Sequence, residues 1–202
     1  AGKPVAPTGM TATGGIVSDY SDPSTGYSYR AHIFTSSGTF EITELSSGLS
    51  NKLEYLVVAG GGGGGGESSQ SGGGGAGGFR TNLTGHPVKA ADLDGEIAVY
   101  TVEVGAGGNG GIGPTSPGGK VGSVGGNSEF YKNGESYPAV KRIRAVGGGG
   151  GMGYSGSPVP QMNGGSGGGA IDSPSPYAGG TGNTADPNHP QVQGYAGGDC
   201  TP

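Results

Sequence analysis

The sequence predicts a mainly β protein with polyglycine-II helices and almost no α-helix. Of its 202 residues, 52 are glycine and 14 are proline, the two residue types with the lowest helix propensity. Leucine, isoleucine, valine and phenylalanine supply only 31 residues, about 15% of the chain and below the ~20% at which filling a core becomes difficult. This composition leaves a flexible low-complexity chain or a glycine-built structural protein, and the patterns within the chain favour the second.

Glycine is unevenly distributed, and this unevenness predicts two units. Positions 1–59 hold seven glycines, and the other 45 lie from residue 60 onward. We predict a small β module at 1–59, whose residues 1–17 are a candidate attachment or donor arm. A glycine-rich β/polyglycine-II domain with proline-rich surface loops is predicted at 60–202. Inside the module, residues 27–35 and 39–45 alternate polar and apolar side chains around a short glycine-containing loop, which predicts a hairpin.

An internal repeat organises the second unit. Three predicted strands each run directly into a glycine tract: 53–59 into 60–66, 97–104 into 105–113, and 139–146 into 147–151. Before the third strand, the pair Asn133-Gly134 is typical of a tight hairpin turn. We therefore expect a sheet from which glycine segments project.

The tracts have a period of three. Ala106, Asn109 and Ile112 are the residues other than glycine in 105–113, and three residues per turn is the repeat of polyproline II. Such a helix has no internal hydrogen bonds, so its backbone groups need partners on neighbouring chains or in water. We predict a bundle of glycine helices joined by backbone hydrogen bonds, with Ala106 and Ile112 at outer or end positions. Flexible glycine-serine linkers are the alternative interpretation.

Several classes of function are disfavoured. The net charge of −5 and pI near 5.0 provide no basic field for nucleic acid, and no apolar run reaches the ~18 residues expected for membrane insertion. The motif Gly105-x-Gly107-x-x-Gly110 follows a predicted strand, but the proline-containing sequence after it cannot open the helix that dinucleotide binding requires. The single cysteine and three scattered histidines have no metal-ligand spacing. We expect no catalytic residue, metal or cofactor, and a protein that is not an enzyme.

Proline-stiffened segments between the later tracts are the predicted contact surface. A rigid scaffold that displays variable loops is a common way to build a binding site, and tyrosine, histidine and asparagine suit carbohydrate or protein contacts. Plain connectors between glycine helices are the alternative for any single loop. The candidate receptor-contact residues are Tyr154, Met162, Asn163, Tyr177, Asn188, His189, Gln191 and Tyr195.

Four stretches resemble the glycine-rich domain of bacteriophage tail-fibre and other virion fibre proteins: 55–64, 74–80, 100–108 and 145–151. The segment 12–40 is similar to the small β segment that often precedes that domain. The resemblance implies an extracellular virion protein with stacked polyglycine-II helices and host-recognition loops. Its implied partners are copies of itself, commonly as trimers, other virion fibre proteins, and a bacterial surface glycan or outer-membrane protein.

A second hypothesis belongs to another class. The chain could be the subunit of an extracellular filament or surface assembly, in which residues 1–17 add a strand to the next subunit. Low apolar content favours self-association under either hypothesis, because a small core gains most from burial against copies of itself. The sequon Asn82-Leu83-Thr84 is a candidate glycosylation site under a secretory route.

Overall fold

The computed structural model of the protein describes residues 8–66, 70–86, 90–113, 121–135, 142–153, 160–171, 176–182 and 192–200. Across these residues the chain is mainly β and contains no α-helix, which confirms the predicted fold class. The strands are β1 (Thr11–Thr13), β2 (Ile16–Ser21), β3 (Ser28–Ile33), β4 (Gly38–Glu44), β5 (Lys52–Leu53), β6 (Leu56–Val58), β7 (Phe79–Thr81), β8 (Leu93–Asp94), β9 (Ala98–Glu103), β10 (Ser128–Lys132) and β11 (Ile143–Ala145). A single 3-10 turn spans Pro160–Met162.

The largest sheet has five antiparallel strands in the order β1-β4-β9-β10-β11. Its buried cluster is Phe40, Ile42 and Tyr100, and the ring of Tyr100 stacks on that of Phe130 with centroids 5.2 Å apart. The sheet draws strands from both sides of residue 59, and the division of the chain at that residue stays a prediction. The other strands form three two-stranded sheets, β2-β3, β5-β8 and β6-β7.

The predicted hairpin between residues 27–35 and 39–45 is wrong in its pairing, although both strands exist. β3 pairs with β2, in a register from Ile16↔Ile33 to Ser21↔Ser28, whereas β4 pairs with β1 and β9. The turn 22–26 explains the difference. The Asp22 carboxylate accepts hydrogen bonds from Ser24 and Thr25, and Gly26 has a φ of 74°, a value that favours glycine. The closed turn joins β2 to β3 directly.

The strands that feed the glycine tracts are confirmed in part. The predicted strand 97–104 is observed as β9, and the Asn133-Gly134 turn follows β10 with a φ of 88° at the glycine. The predicted strand 53–59 is instead divided into β5 and β6. Tyr55 lies at the division, where its N–H donates to the side chain of Asn82 and its C=O accepts from that of Thr81. These side-chain bonds replace the backbone ladder there.

The glycine tracts form a bundle, and eight tracts, A to H, can be followed in the described part of the chain. Their bounds are A 59–66, B 72–78, C 105–113, D 121–126, E 146–153, F 164–170, G 176–182 and H 193–200. In tract A the N–H groups of residues 59, 62 and 65 donate to tract B, and those of residues 60 and 63 donate to tract D. Tract C donates to the C=O groups of residues 61 and 64, and tract E to those of 60 and 63. Every third residue thus meets the same neighbour, which is the repeat predicted for polyglycine II.

Close approach, more than backbone conformation, explains why these tracts are glycine. The glycines with positive φ all lie outside the tracts, so the tract backbone has the φ sign that any L-residue adopts. A Cβ atom at Gly62, Gly63 or Gly150 would instead overlap the carbonyl group of a neighbouring tract. Ala106, Asn109 and Ile112 are exposed, which confirms the outward placement predicted from their spacing.

A second small core closes the far side of the bundle. Met152, Met162 and Ile171 are buried against one another, and Val121, Ala170 and Tyr177 pack around them. The unbranched methionine side chain suits an irregular gap of this kind. Side-chain packing is therefore added here to the backbone hydrogen bonds, since Met152 N–H still donates to Gly169 C=O at 3.0 Å.

Candidate functional site

Three of the predicted contact residues lie on one side of the bundle. Asn163 immediately precedes tract F, Tyr177 lies in tract G and Tyr195 in tract H. The three tracts are joined by backbone hydrogen bonds, since Gly167 N–H donates to Tyr195 C=O at 2.8 Å and Gly180 N–H to Gly168 C=O at 2.7 Å. Tyr195 is 77% exposed. We call the surface of tracts F, G and H the C-terminal face.

The degree of exposure separates these three residues. Asn163 is half-buried, and its side-chain oxygen accepts a hydrogen bond from Thr181 N–H at 2.7 Å. Tyr177 is also half-buried, and its C=O accepts from Cys200 N–H at 2.9 Å. Both residues therefore hold neighbouring tracts together, whereas Tyr195 has a free aromatic ring for a partner.

Met162 does not fit the contact role predicted for it. It is 1% exposed and lies in the core with Met152 and Ile171. Its C=O also accepts a hydrogen bond from Gly168 N–H at 2.8 Å. The apolar side chain fills this small core, so it turns inward. Tyr154, Asn188, His189 and Gln191 lie outside the described residues.

A groove on the sheet side of the molecule is a candidate site that the sequence patterns did not indicate. Its volume is about 550 Å3, within the ~300–1,000 Å3 usual for ligand sites. Two runs of consecutive residues line it, 30–34 from β3 onward and 53–58 from β5 to β6. Side chains of β9 and β10 form its floor, including Val102 and Phe130.

Exposed apolar side chains surround the groove. Leu56 is 57% exposed, Val58 52% and Ile33 47%. Tyr20 of β2 also lines it, and its ring stacks on that of Tyr29 with centroids 5.3 Å apart. The apolar residues of β2 and β3 are visible in the sequence and could have indicated this surface. The predicted pairing of β3 with β4, however, does not place β3 beside β2.

Charged groups at the groove are mostly paired. Arg30 donates two hydrogen bonds to the carboxylate of Asp19, at 2.7 and 2.8 Å, and these bonds lower the pKa of Asp19. Glu129, on the floor, is paired with Arg142 and lies 3.4 Å from Arg144. Glu54 and Glu103 also line the groove and belong to none of the described ion pairs, so they are the negatively charged positions of its lining.

Two tyrosines near the groove have raised pKa values for different reasons. Burial raises the pKa of Tyr55 to about 12, and its hydroxyl donates to Ala91 C=O at 3.0 Å. A hydrogen bond from the Tyr131 hydroxyl to Glu103, at 2.6 Å, raises the pKa of Tyr131. Both hydroxyls are structural donors in this arrangement.

The asparagine of the predicted sequon is buried in this fold, although Leu83 and Thr84 are exposed. Asn82 is 6% exposed. Its amide nitrogen donates to Leu53 C=O at 2.7 Å, and its side-chain oxygen accepts from Tyr55 N–H at 2.9 Å. A glycan would replace one of the two hydrogens on this nitrogen and require space that the fold does not provide.

The described residues contain neither a metal-ligand cluster nor a membrane-spanning helix. Among those residues, no group of three or more histidine, cysteine, aspartate or glutamate side chains could hold a metal ion. No helix there has the length and apolar character of a membrane span.

Comparison with known proteins places the chain in a family. A family model described as a glycine-rich domain matches residues 35–201. The chain belongs to this glycine-rich domain family. The match begins just before β4 and extends over all eight tracts, so the family region includes both the five-stranded sheet and the bundle, apart from β1. No match was found among curated proteins or among solved structures.

Proposed function

We propose that this glycine-rich protein is a non-enzymatic structural component of a phage tail fibre or adhesin, located in the extracellular virion. It displays surface residues that bind a bacterial glycan or outer-membrane protein. Copies of itself, as a trimer or polymer, and other virion fibre proteins are its further partners. The observation that carries this proposal is the hydrogen-bonded bundle, with exposed side chains at every third position of tract C.

The bundle is rigid although the protein has only a small hydrophobic core. Each backbone hydrogen bond contributes about 0.5–1.5 kcal/mol net, and the tracts bond to several neighbours at once. Tract A alone bonds to tracts B, C, D and E. A bundle of this kind stays ordered while its surface residues vary, which is what a receptor-binding scaffold requires.

Immunogold electron microscopy of the native source tests the location. An antibody raised against residues 147–193 should place gold at the tips of phage fibres. Gold along filaments that carry no phage particle would contradict the adhesin and support the filament hypothesis.

Cell binding tests the contact surface. The labelled full chain should bind the bacterium identified by the microscopy, and Tyr195→Ala should weaken that binding because the exposed ring is lost from the C-terminal face. Tyr27→Ala is the matched control, since Tyr27 is also exposed, at 62%, but lies next to β3. Equal binding by the wild type and the Tyr195 variant would remove the C-terminal face from the proposal.

The second candidate function is the extracellular filament that grows by strand addition. The specific observation in its favour is an unpaired strand edge in β6, beside the groove. The donor arm must be shorter than residues 1–17, because β1 pairs with β4 and β2 with β3 inside the same chain.

A further inference from the structure

β6 has one paired edge and one open edge. Ala59 N–H donates to Gly78 C=O at 3.0 Å, which places a ladder hydrogen bond at this position. Bonded and non-bonded positions alternate along an antiparallel pair. The N–H and C=O groups of Val58 and Leu56 therefore point away from β7.

The β7 side of the ladder agrees with this assignment. Phe79, opposite Val58, donates its N–H to Gln193 C=O at 3.2 Å, and Thr81, opposite Leu56, accepts at its C=O from Ala90 N–H at 2.6 Å. Both residues thus bond on the side away from β6. Within the described ranges, no backbone partner is found for the outward groups of Leu56 and Val58.

The open edge of β6 is only three residues long, but neither of its outward residues is a lysine or a proline. Natural proteins cover exposed strand edges or place lysine, proline or a bulge on them. Leu56 and Val58 are instead apolar and more than half exposed, and both line the groove. Two outward residues provide two donors and two acceptors, spaced as an added strand would need them.

We propose that the groove receives residues 1–7 of a second copy, which add to β6 as a further strand. Residues 1–7 read Ala-Gly-Lys-Pro-Val-Ala-Pro. They are the part of the predicted arm that lies outside the described residues; of the rest, Thr8 forms a bridge with Ser47, and β1 and β2 have partners in the chain. Seven extended residues span about 23 Å, more than the three residues of β6 require.

The proline positions limit the ways of pairing, because Pro4 and Pro7 fall on opposite edges of an extended arm, and Pro7, on the edge of Lys3 and Val5, would lie beyond the three residues of β6. Alternate residues of a strand direct their backbone groups to opposite edges, and proline has no N–H to donate. If Lys3 and Val5 bond to β6, Pro4 faces the open side, where its missing donor costs nothing. The opposite choice would place Pro4 against β6 and lose a bond. Lys3 and Val5 thus match the two outward residues of β6.

Charge favours the same occupant. The groove is lined by Glu54 and Glu103, two carboxylates outside the described ion pairs, and Glu54 beside β6 is exposed. Lys3 is the one charged side chain of residues 1–7, and it would bring a cation to this acidic rim. The proposal rests on the filament hypothesis and is independent of the adhesin.

Competition on the full chain tests the pairing. We expect concentration-dependent self-association in analytical ultracentrifugation, reversed by a synthetic peptide of residues 1–7 with an amidated C-terminus. Methylation of the Val5 backbone nitrogen should weaken the peptide about tenfold, because a ladder bond is lost. The same methyl group on Ala6 should have little effect, since that nitrogen faces the open side.

A substitution in the acceptor gives a second readout. Leu56→Lys should reduce self-association, whereas Ile112→Lys, at a residue 69% exposed on tract C, should leave it unchanged. Both positions are exposed, so neither variant is expected to unfold.

Three results would overturn the proposal. In the first, the two methylated peptides have equal effects on self-association. In the second, the oligomer persists in the presence of every peptide. In the third, the protein is a monomer that binds no peptide because its own residues 1–7 occupy the groove. None of them bears on the adhesin proposal, which depends on cell binding.

Discussion

Gly63→Ala and Gly64→Ala, two neighbouring substitutions in tract A, are expected to change stability in opposite directions. At Gly63 a Cβ atom would overlap the carbonyl group of Asn109 and lie 2.8 Å from Gly110 N. At Gly64 the nearest atom would be Gly72 O at 3.7 Å, an ordinary contact. Neither glycine has a positive φ, so the difference between them is one of space alone.

The loss of stability expected for Gly63→Ala follows from the hydrogen bonds around this residue. Its N–H donates to Ser123 C=O at 2.9 Å, its C=O accepts from Gly151 N–H at 2.8 Å, and Ser123 N–H donates to Asn109 C=O at 2.8 Å. Separating tracts A, C and D enough for a methyl group would weaken all three bonds. At about 1 kcal/mol each, Gly63→Ala should cost about 3 kcal/mol, or a fall of about 6–12 °C in Tm.

Gly64→Ala should instead stabilise the protein by about 0.4–1 kcal/mol, because alanine restricts the unfolded chain at a position whose native conformation it can adopt. Chemical denaturation followed by circular dichroism measures both changes. Equal destabilisation by the two substitutions would refute the close-approach account of the tracts. If Gly63→Ala does not fold at all, the gain at Gly64 still tests the reasoning.

Three further predictions concern the sheet and its surroundings. Phe40→Ala should lower the free energy of unfolding by about 3–5 kcal/mol, because Phe40 is 7% exposed and packs on Tyr100. Ile112→Ala, at a residue 69% exposed, should change the free energy of unfolding by no more than about 0.5 kcal/mol in the same denaturation assay. Similar losses for the two variants would place the core elsewhere. Hydrogen bonds from Arg30 and Ser24 lower the pKa values of Asp19 and Asp22 respectively. These bonds should therefore stabilise the β2–β3 hairpin fully above pH 3.8, and the stabilisation should be lost as pH falls through the lower pKa values of the folded protein. NMR titrations of the two carboxyl groups with midpoints at or above 3.8 would contradict this. Tyr55 should titrate near pH 12 in the folded protein, so the free energy of unfolding should fall as pH rises from about 10 to 12. The phenolate absorbance of Tyr55 is identified by its loss in Tyr55→Phe. A midpoint near 10 for this absorbance would show that the residue is not buried.

The contact residues illustrate how far sequence reasoning reached at the candidate site. The spacing of Ala106, Asn109 and Ile112 predicted their outward positions, because a period of three is a local property of the tract. Nothing local distinguished Met162 from Tyr195, since both occur among glycine and polar residues. Their difference in burial depends on which tracts meet, and that is set by contacts far apart in sequence.

The sequence by itself determined the mainly β character, the repeat of three in the tracts and the absence of α-helix from the described residues. Each follows from steric preferences of glycine and proline acting over a few residues. Only the tertiary structure decided that β3 pairs with β2 and that β4 pairs with β9, more than fifty residues away. It also decided that β6 keeps an open edge beside a groove. Strand partners are chosen by the burial of Phe40, Ile42 and Tyr100 in one cluster, and such long-range packing leaves no periodic signal in the chain.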